Sequence, residues 1–170
     1  MSARRATYKV AIAGCHRMLA RTPQSHNWAA AFAAVPETRI AGVFDKGADT
    51  RKAFVACWGD IPAYDDYDRM LREVQPDIVC IATRQTMHAE MAEKAAAAGV
   101  RGIHFEKPLA TTMAEVDRIE AACRAHRVAV VFGVDRRWWT AAVDLRKRLR
   151  DGLVGDVQAV TGYGLPQLIN

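Results

Sequence analysis

The sequence predicts an α/β fold with a doubly wound, mostly parallel sheet. Three observations support this class: short apolar runs typical of strands buried on both faces, longer segments with helical signals between them, and glycine, proline or capping residues at most boundaries. Strands that alternate with helices imply βαβ crossovers and a parallel sheet. Because such crossovers are almost always right-handed, few topologies remain, and the doubly wound sheet is the leading one.

The first half of the chain alternates strand-like and helix-like segments. The strand-like runs cover 10–14, 39–44 and 62–64, and the helix-like segments cover 26–35, 50–58 and 67–74. Ser25 is the predicted N-cap of the first helix, which Pro36 ends. Asp65 or Asp66 is the predicted N-cap of the third helix.

The second half continues the alternation. Strand-like runs cover 78–82, 102–105, 128–132 and 157–163, and helix-like segments cover 87–98, a stretch ending near 126, and 139–150. Gly99 follows the alanine-rich helix where a left-handed residue is favoured, and Thr112 with Glu115 forms a capping-box signature. Near residue 135 the alternation gives way to a segment rich in arginine and tryptophan. We therefore predict one complete domain over 1–135, followed over 136–170 by the first helix and strand of a truncated second α/β domain.

The composition is that of a globular protein and disfavours several other classes. The chain has 170 residues and a net charge of +5, and its basic residues are scattered apart from a cluster on one predicted helix, which favours a solvated face over a nucleic-acid interface. No apolar run approaches the length of a membrane span or a signal-peptide core. The cysteines are isolated, which favours free thiols in a reducing, cytoplasmic compartment, and no metal site is expected.

The end of the first strand carries an incomplete dinucleotide fingerprint. Where a GxGxxG motif would begin, the sequence has Gly14, His16 and Leu19, so only the first glycine is present. A histidine in the second slot is expected to push the phosphates outward, and His16, Arg17 and Arg21 can then meet them through side chains. The alternative is a loop that no longer binds a dinucleotide, and this motif leaves the two open.

Asp45 stands at the tip of the second strand, where an acidic residue can accept hydrogen bonds from the adenosine ribose hydroxyls. Its charge would repel a 2′-phosphate, which favours NAD over NADP, although the adjacent Lys46 weakens the preference. NADP therefore stays possible. The alternative role for Asp45 is to cap the helix that follows.

Four segments, in a fixed order along the chain, together indicate one protein family. Glu106-Lys107-Pro108 directly follows a strand, and the three other segments are Ile81–Thr83 with His88–Glu90, Arg136–Trp138, and Gly152–Asp156. Together they resemble, in order and at similar spacing, the glucose–fructose oxidoreductase and inositol dehydrogenase family (Gfo/Idh/MocA). The resemblance covers essentially the whole chain. It implies that residues 1–135 form a Rossmann-type NAD(P)-binding domain.

The resemblance also implies an activity, the transfer of a hydride between NAD(P) and a hydroxyl-bearing carbon of a sugar or cyclitol. Lys107 matches the family lysine near that hydroxyl and the nicotinamide, where it acts as an acid/base or as an electrostatic clamp. Glu106 is expected near the nicotinamide ribose, where it helps to position Lys107. The alternative for Lys107 is an ordinary solvated loop lysine.

Other cofactor contacts follow from the same match. Thr83 is expected near the dinucleotide phosphates, His88 either contacts the cofactor or packs its helix, and Arg137 reaches the cofactor or substrate or covers an apolar surface. Arg84 stands where the family usually has proline, which leaves the shape of that loop open.

Family enzymes continue into a substrate-binding domain with an open sheet and are expected to be homo-oligomers. The run at 157–163 would be the first strand of that sheet, so the chain is expected to be a fragment that binds a dinucleotide but turns nothing over. Two alternatives stay open. One is a non-catalytic sensing or interaction module, and the other is a relative that uses bound NAD in a lyase or glycosidase reaction.

Overall fold

The computed structural model describes residues 7–21 and 27–161. Its strands are β1 (Tyr8–Ala13), β2 (Thr38–Phe44), β3 (Ala63–Tyr64), β4 (Ile78–Ile81), β5 (Gly102–Phe105) and β6 (Ala129–Phe132). Its α-helices are α1 (Trp28–Ala33), α2 (Ala48–Trp58), α3 (Tyr67–Val74), α4 (His88–Ala97), α5 (Met113–Ala125) and α6 (Thr140–Arg150). Short 3-10 turns cover Gln85–Met87 and Asp135–Trp138.

The strands form one parallel sheet in the order β3-β2-β1-β4-β5-β6. This order confirms the predicted doubly wound α/β fold. The chain starts at the centre of the sheet, winds outward through β2 and β3, and returns to β4 on the other side of β1. The strand order therefore reverses between β1 and β4, which is where open α/β sheets bind their ligands.

Successive side chains of the central strands point to opposite faces of the sheet, and both faces are covered by helices. Val10 and Ile12 of β1 pack with Phe54 and Trp58 of α2 on one face. Alternate residues of the same strand pack on the other face in a larger cluster with α3, α4 and α5. Burial on both sides explains why the buried stretches of these strands, such as Val10–Ala13 of β1, are apolar at successive positions.

Helix ends follow local capping chemistry. The predicted capping box is confirmed: the Thr112 side chain accepts from the Glu115 N–H while the Glu115 carboxylate reaches back to the N-cap backbone. Asp66, and not Asp65, is the N-cap of α3. The predicted start of α1 was misplaced, because the helix begins at Trp28 with Asn27 as its cap, and the predicted cap Ser25 lies outside the described residues.

The chain divides into two compact units between Gly133 and Val134. The second unit contains α6, and in it the Arg136 and Arg137 guanidinium groups lie 5.7 and 6.0 Å from the ring centres of Trp139 and Trp138. The strand predicted over 157–163 is wrong for residues 157–161, which are exposed and extend past the last helix without pairing. A strand forms only when a neighbour supplies its hydrogen bonds, and no described residue does so here. Residues 162 and 163 lie outside the described part.

All four cysteines are free thiols, as predicted. Within residues 7–21 and 27–161, no helix is long and apolar enough to cross a bilayer. The same residues contain no cluster of histidine, cysteine and carboxylate side chains that could hold a metal ion.

Candidate dinucleotide site

The residues predicted to bind a cofactor follow four neighbouring strands at one edge of the sheet. Gly14 directly follows β1, Asp45 directly follows β2, and Glu106 directly follows β5, while Thr83 lies two positions past the end of β4. Since β2, β1, β4 and β5 are adjacent and parallel, their carboxyl ends lie side by side. The topology therefore brings these loops together at the point where the strand order reverses.

Gly14 brings the β1 loop into close contact with the β4 loop. Its φ is +92°, and a Cβ added to it would lie 2.5 Å from the Ala82 carbonyl oxygen and 2.9 Å from the Thr83 nitrogen. Its own N–H donates to the Phe44 carbonyl at 2.8 Å, which ties it to the end of β2. Glycine is required here for two reasons, the positive φ and the absence of room for any side chain.

The rest of the incomplete fingerprint forms a turn rather than the start of a helix. The Met18 N–H donates to the Cys15 carbonyl at 2.8 Å, so Cys15 and Met18 point into the core while His16 and Arg17 are exposed at the tip. No helix begins within residues 14–21, so the third glycine of the fingerprint has no helix–strand contact to accommodate. The Arg21 guanidinium lies 5.3 Å from the centre of the Trp58 ring.

Asp45 connects the β1 loop to the β2 loop through both carboxylate oxygens. Oδ2 accepts from the Cys15 N–H at 2.9 Å, and Oδ1 accepts from the Gly47 N–H at 2.8 Å. Gly47, and not Asp45, is the N-cap of α2. The Arg51 guanidinium donates to the Asp45 carbonyl at 2.6 Å and holds this loop from the helix side. Because each carboxylate oxygen has two lone pairs, Asp45 retains acceptor capacity for ribose hydroxyls.

The Cys15 thiol beside this carboxylate is not a nucleophile. Burial, together with the negative charge of Asp45, raises the pKa of the thiol to about 12. The protonated sulfur instead lies 3.7 Å from the Phe44 carbonyl oxygen. Cys15 therefore acts through its backbone, by orienting Asp45.

The buried His88 side chain holds the backbone of the β4 loop. The ring is 1% exposed, with Nδ1 at 3.0 Å from the Leu109 carbonyl and Nε2 at 3.3 Å from the Thr83 carbonyl. Both nitrogens thus face protein carbonyls, which favours the packing alternative for His88 over a direct cofactor contact. The Thr83 hydroxyl is half-buried, 3.3 Å from the Met91 sulfur. Arg84 has a φ of −68°, a value that proline also adopts, so the departure from the family proline does not change this backbone angle.

The β5 loop holds Glu106 in a defined orientation. Its Oε1 accepts from the Lys107 N–H and its Oε2 from the Trp28 indole N–H, both at 2.8 Å. The Glu106 N–H donates to the Ile81 carbonyl at 2.8 Å, which fixes the loop against β4. The Lys107 side chain is exposed and forms no ion pair within the described part of the chain, and the peptide bond to Pro108 is cis.

Residues 8–134 match the model of the oxidoreductase family with an NAD-binding Rossmann fold, Gfo/Idh/MocA. The chain belongs to this family. The match starts with β1 and ends just past β6, so the NAD-binding Rossmann domain of Gfo/Idh/MocA oxidoreductases is the unit that carries the four loops. The family resemblance and the NAD cofactor expected from the sequence are confirmed.

Two of the relatives that the chain matches in the Gfo/Idh/MocA family are dehydrogenases. The chain is 31% identical over 148 residues to a D-apiose dehydrogenase of Paraburkholderia graminis, covering 87% of this chain and 38% of that protein. It is 34% identical over 125 residues to an inositol 2-dehydrogenase of Gluconacetobacter diazotrophicus, covering 72% of this chain and 36% of that protein. The chain therefore spans well under half the length of these relatives.

Solved structures support the same Gfo/Idh/MocA fold. A scyllo-inositol dehydrogenase from Lactobacillus casei, solved with NAD(H) and scyllo-inositol, superposes with a TM-score of 0.76 at 18% identity, covering 88% of this chain and 43% of that one. An oxidoreductase from Agrobacterium radiobacter, solved in complex with NAD+, L-tartaric acid and magnesium, superposes with a TM-score of 0.79 at 23% identity. The match covers 89% of this chain and 42% of that one.

Sequence reasoning missed three residues that shape this site. Trp28 and Arg51 belong to no motif in the sequence, and Cys15 was predicted only to be a free thiol. Trp28 and Glu106 are 78 positions apart, and Cys15 and Asp45 are 30 apart. No local pattern signals such contacts, because they depend on which strands become neighbours.

Proposed function

We propose that the protein is an NAD-dependent dehydrogenase of a sugar or cyclitol hydroxyl, in which this domain holds the dinucleotide across the β1–β4 crevice. The adenosine half would lie toward Asp45 and the nicotinamide half toward Glu106 and Lys107. One observation carries this proposal: the loops that bear Asp45, Gly14, Thr83 and Glu106 follow four adjacent parallel strands. Dinucleotides bind across such a crevice in doubly wound folds.

Asp45 would receive the adenosine ribose. Its oxygens are already held by two backbone N–H groups, so the carboxylate is fixed before a ligand arrives. A fixed carboxylate loses little side-chain entropy on binding hydroxyls, and its charge opposes a 2′-phosphate. This supports NAD as the cofactor, and it makes NADP the weaker ligand.

The phosphates would lie over Gly14 and near Thr83, with His16 and Arg17 at the exposed tip of the turn. His88 would act as a positioning residue, because its buried ring joins the backbone of the β4 loop to that of the β5 loop. Arg137 belongs to the second unit, and its contact with the cofactor is proposed only from the family resemblance. We likewise propose that residues 136–170 begin the substrate domain.

Lys107 would meet the substrate hydroxyl. Bound NAD supplies the chemistry of this reaction by accepting or returning a hydride. The Lys107 amine would hold the hydroxyl by a hydrogen bond and share its proton as the C–O bond order changes, a contribution typically of about 10²–10⁴-fold in rate. An amine that is exposed and not engaged by a described carboxylate is available for this role.

The test compares the affinities of the protein for NAD+ and NADH, because only the oxidised nicotinamide ring carries a positive charge. If Lys107 lies beside that ring, Lys107→Met strengthens NAD+ relative to NADH; if Glu106 lies beside it, Glu106→Gln weakens NAD+ relative to NADH. Partly exposed charge pairs contribute about 0.2–1 kcal/mol, so each ratio should change about 1.5- to 5-fold. Arg118→Met on α5 is the control, since its guanidinium pairs with Glu93 and belongs to none of the four loops. Absence of dinucleotide binding, or equal ratios in all variants, would contradict the proposal.

A further inference from the structure

Trp28, at the start of α1, belongs to none of the motifs that indicate the family, yet its indole N–H reaches the Glu106 carboxylate. We infer that Trp28 is a positioning residue that holds Glu106 toward the nicotinamide half of the cofactor and away from the Lys107 amine. This inference rests on the proposed function of Glu106 and Lys107.

The geometry fixes Glu106 at three points. Trp28 Nε1 donates to Oε2, the Lys107 backbone N–H donates to Oε1, and the Glu106 N–H is bound to the Ile81 carbonyl. Hydrogen bonds to a charged acceptor are stronger than those between neutral groups, so the carboxylate has one favoured orientation. Of the two bonds to its oxygens, only the one from Trp28 comes from a distant part of the chain.

Trp28 is itself held by independent contacts. The Asn27 side chain accepts from the Ala30 N–H at 2.9 Å and donates to the Ala20 carbonyl at 3.0 Å, which fixes the first turn of α1 against the β1 loop. The indole ring packs on the His104 ring with centroids 4.0 Å apart. Any Cβ at Gly133 would lie 2.9 Å from Trp28 Cζ2, so the chain after β6 leaves room for the indole only because that residue is glycine.

The consequence concerns Lys107. A glutamate without a donor at Oε2 is free to turn toward the neighbouring ammonium group, and an ion pair between them would engage the amine that the substrate hydroxyl needs. Within the described residues Lys107 has no such pair. The Trp28 indole keeps the two side chains apart by giving the carboxylate a competing partner.

The first measurement tests the contact without any cofactor. In a ¹⁵N-labelled protein, the indole N–H signal lost in Trp28→Phe is that of Trp28, and Glu106→Gln should move this signal upfield because a charged acceptor has become neutral. Unmoved indole signals in Glu106→Gln would overturn the inference, whatever the protein does with NAD.

The second measurement tests the consequence with NAD+ and NADH. Trp28→Phe, like Glu106→Gln, should weaken the binding of NAD+ relative to that of NADH, by about twofold. The double variant should have the same ratio of NAD+ to NADH affinity as Glu106→Gln alone. Phe32→Leu is the matched control, because Phe32 lies on the same helix and packs on the same His104 ring but has no donor. It should leave the ratio unchanged.

The outcomes separate the two proposals. If Glu106→Gln changes the ratio and Trp28→Phe does not, or if the effects add in the double variant, Trp28 is only a packing residue and the inference is wrong while the proposed function stands. If the native protein binds neither dinucleotide, the proposed function fails even where the indole signal reports the contact.

Discussion

Replacing Gly14 by alanine tests the close approach of the β1 and β4 loops. The new methyl group would lie 2.5 Å from the Ala82 carbonyl oxygen and 2.7 Å from its carbon, and both atoms belong to the backbone. Backbone cannot rotate away as a flexible side chain can, so the β1 and β4 loops must separate. The positive φ of Gly14 adds a second cost, because alanine disfavours that region.

The two costs can be estimated separately. A left-handed conformation costs a non-glycine residue about 1–2 kcal/mol, and forcing an extra methyl group into a packed site typically costs about 1–3 kcal/mol. Gly14→Ala should therefore lower the free energy of unfolding by about 2–5 kcal/mol. Single domains have about 5–15 kcal/mol in total, so a domain in the middle of that range stays folded after this loss.

Gly99→Ala is the control that removes the steric part. Gly99 has a φ of +83°, close to that of Gly14, but a Cβ there meets nothing within 4 Å. Gly99→Ala should therefore lower the free energy of unfolding by only about 1–2 kcal/mol, the cost of the left-handed conformation alone.

Urea unfolding measures both free energies, and a dinucleotide titration measures binding. Gly14→Ala should weaken NAD about tenfold or more, equivalent to about 1.4 kcal/mol, because the displaced Ala82–Thr83 backbone lines the crevice. Gly99 precedes β5 and therefore lies at the opposite edge of the sheet from the crevice. Gly99→Ala should not change the affinity for NAD. Equal destabilisation by the two substitutions would refute the close approach of the β1 and β4 loops.

Three further predictions address other parts of the site. Asp45→Asn should weaken NAD binding by about 10- to 100-fold, because a charged hydrogen-bond acceptor is lost, and it should raise the affinity for NADP relative to that for NAD. Calorimetric titration with both cofactors measures the two affinities. An unchanged ratio of NADP to NAD affinity would exclude the ribose role. In the native protein an aromatic disulfide reagent should react rapidly only with half-buried Cys57, since the other three thiols are buried; a rapid reaction that persists in Cys57→Ser would contradict this. Burial lowers the pKa of His104 from its ordinary value of 6.5, against the opposing charge of Glu106, so the unfolded chain takes up this proton more readily. Stability from this residue is therefore present above about pH 6.5 and is lost as the pH falls below it. Urea unfolding at several pH values should show that the free energy of unfolding falls less steeply below about pH 6.5 in His104→Phe than in the native protein.

Much of the fold could be predicted because its signals are local. The apolar strands, the capping box at Thr112 and a cap for α3 at Asp65 or Asp66 each depend on a few consecutive residues. The structure confirms the strands and the capping box and selects Asp66 as the cap. The start of α1 was misplaced because two polar residues, Ser25 and Asn27, are both good caps, and local chemistry does not choose between them. The run at 157–161 has strand propensity but no described partner, and propensity alone does not make a strand.

By itself, the sequence determined the α/β class, the family and the position of Gly14, Asp45, Thr83 and Lys107 at strand ends, because periodicity and short motifs are properties of neighbouring residues. Only the tertiary structure decided what these residues touch. Placing β1 beside β4 presses Gly14 against Ala82, the burial of His88 turns both its nitrogens toward backbone carbonyls, and the docking of α1 carries Trp28 to Glu106. Such contacts join residues far apart in the chain, so they exist only once the strand order is fixed.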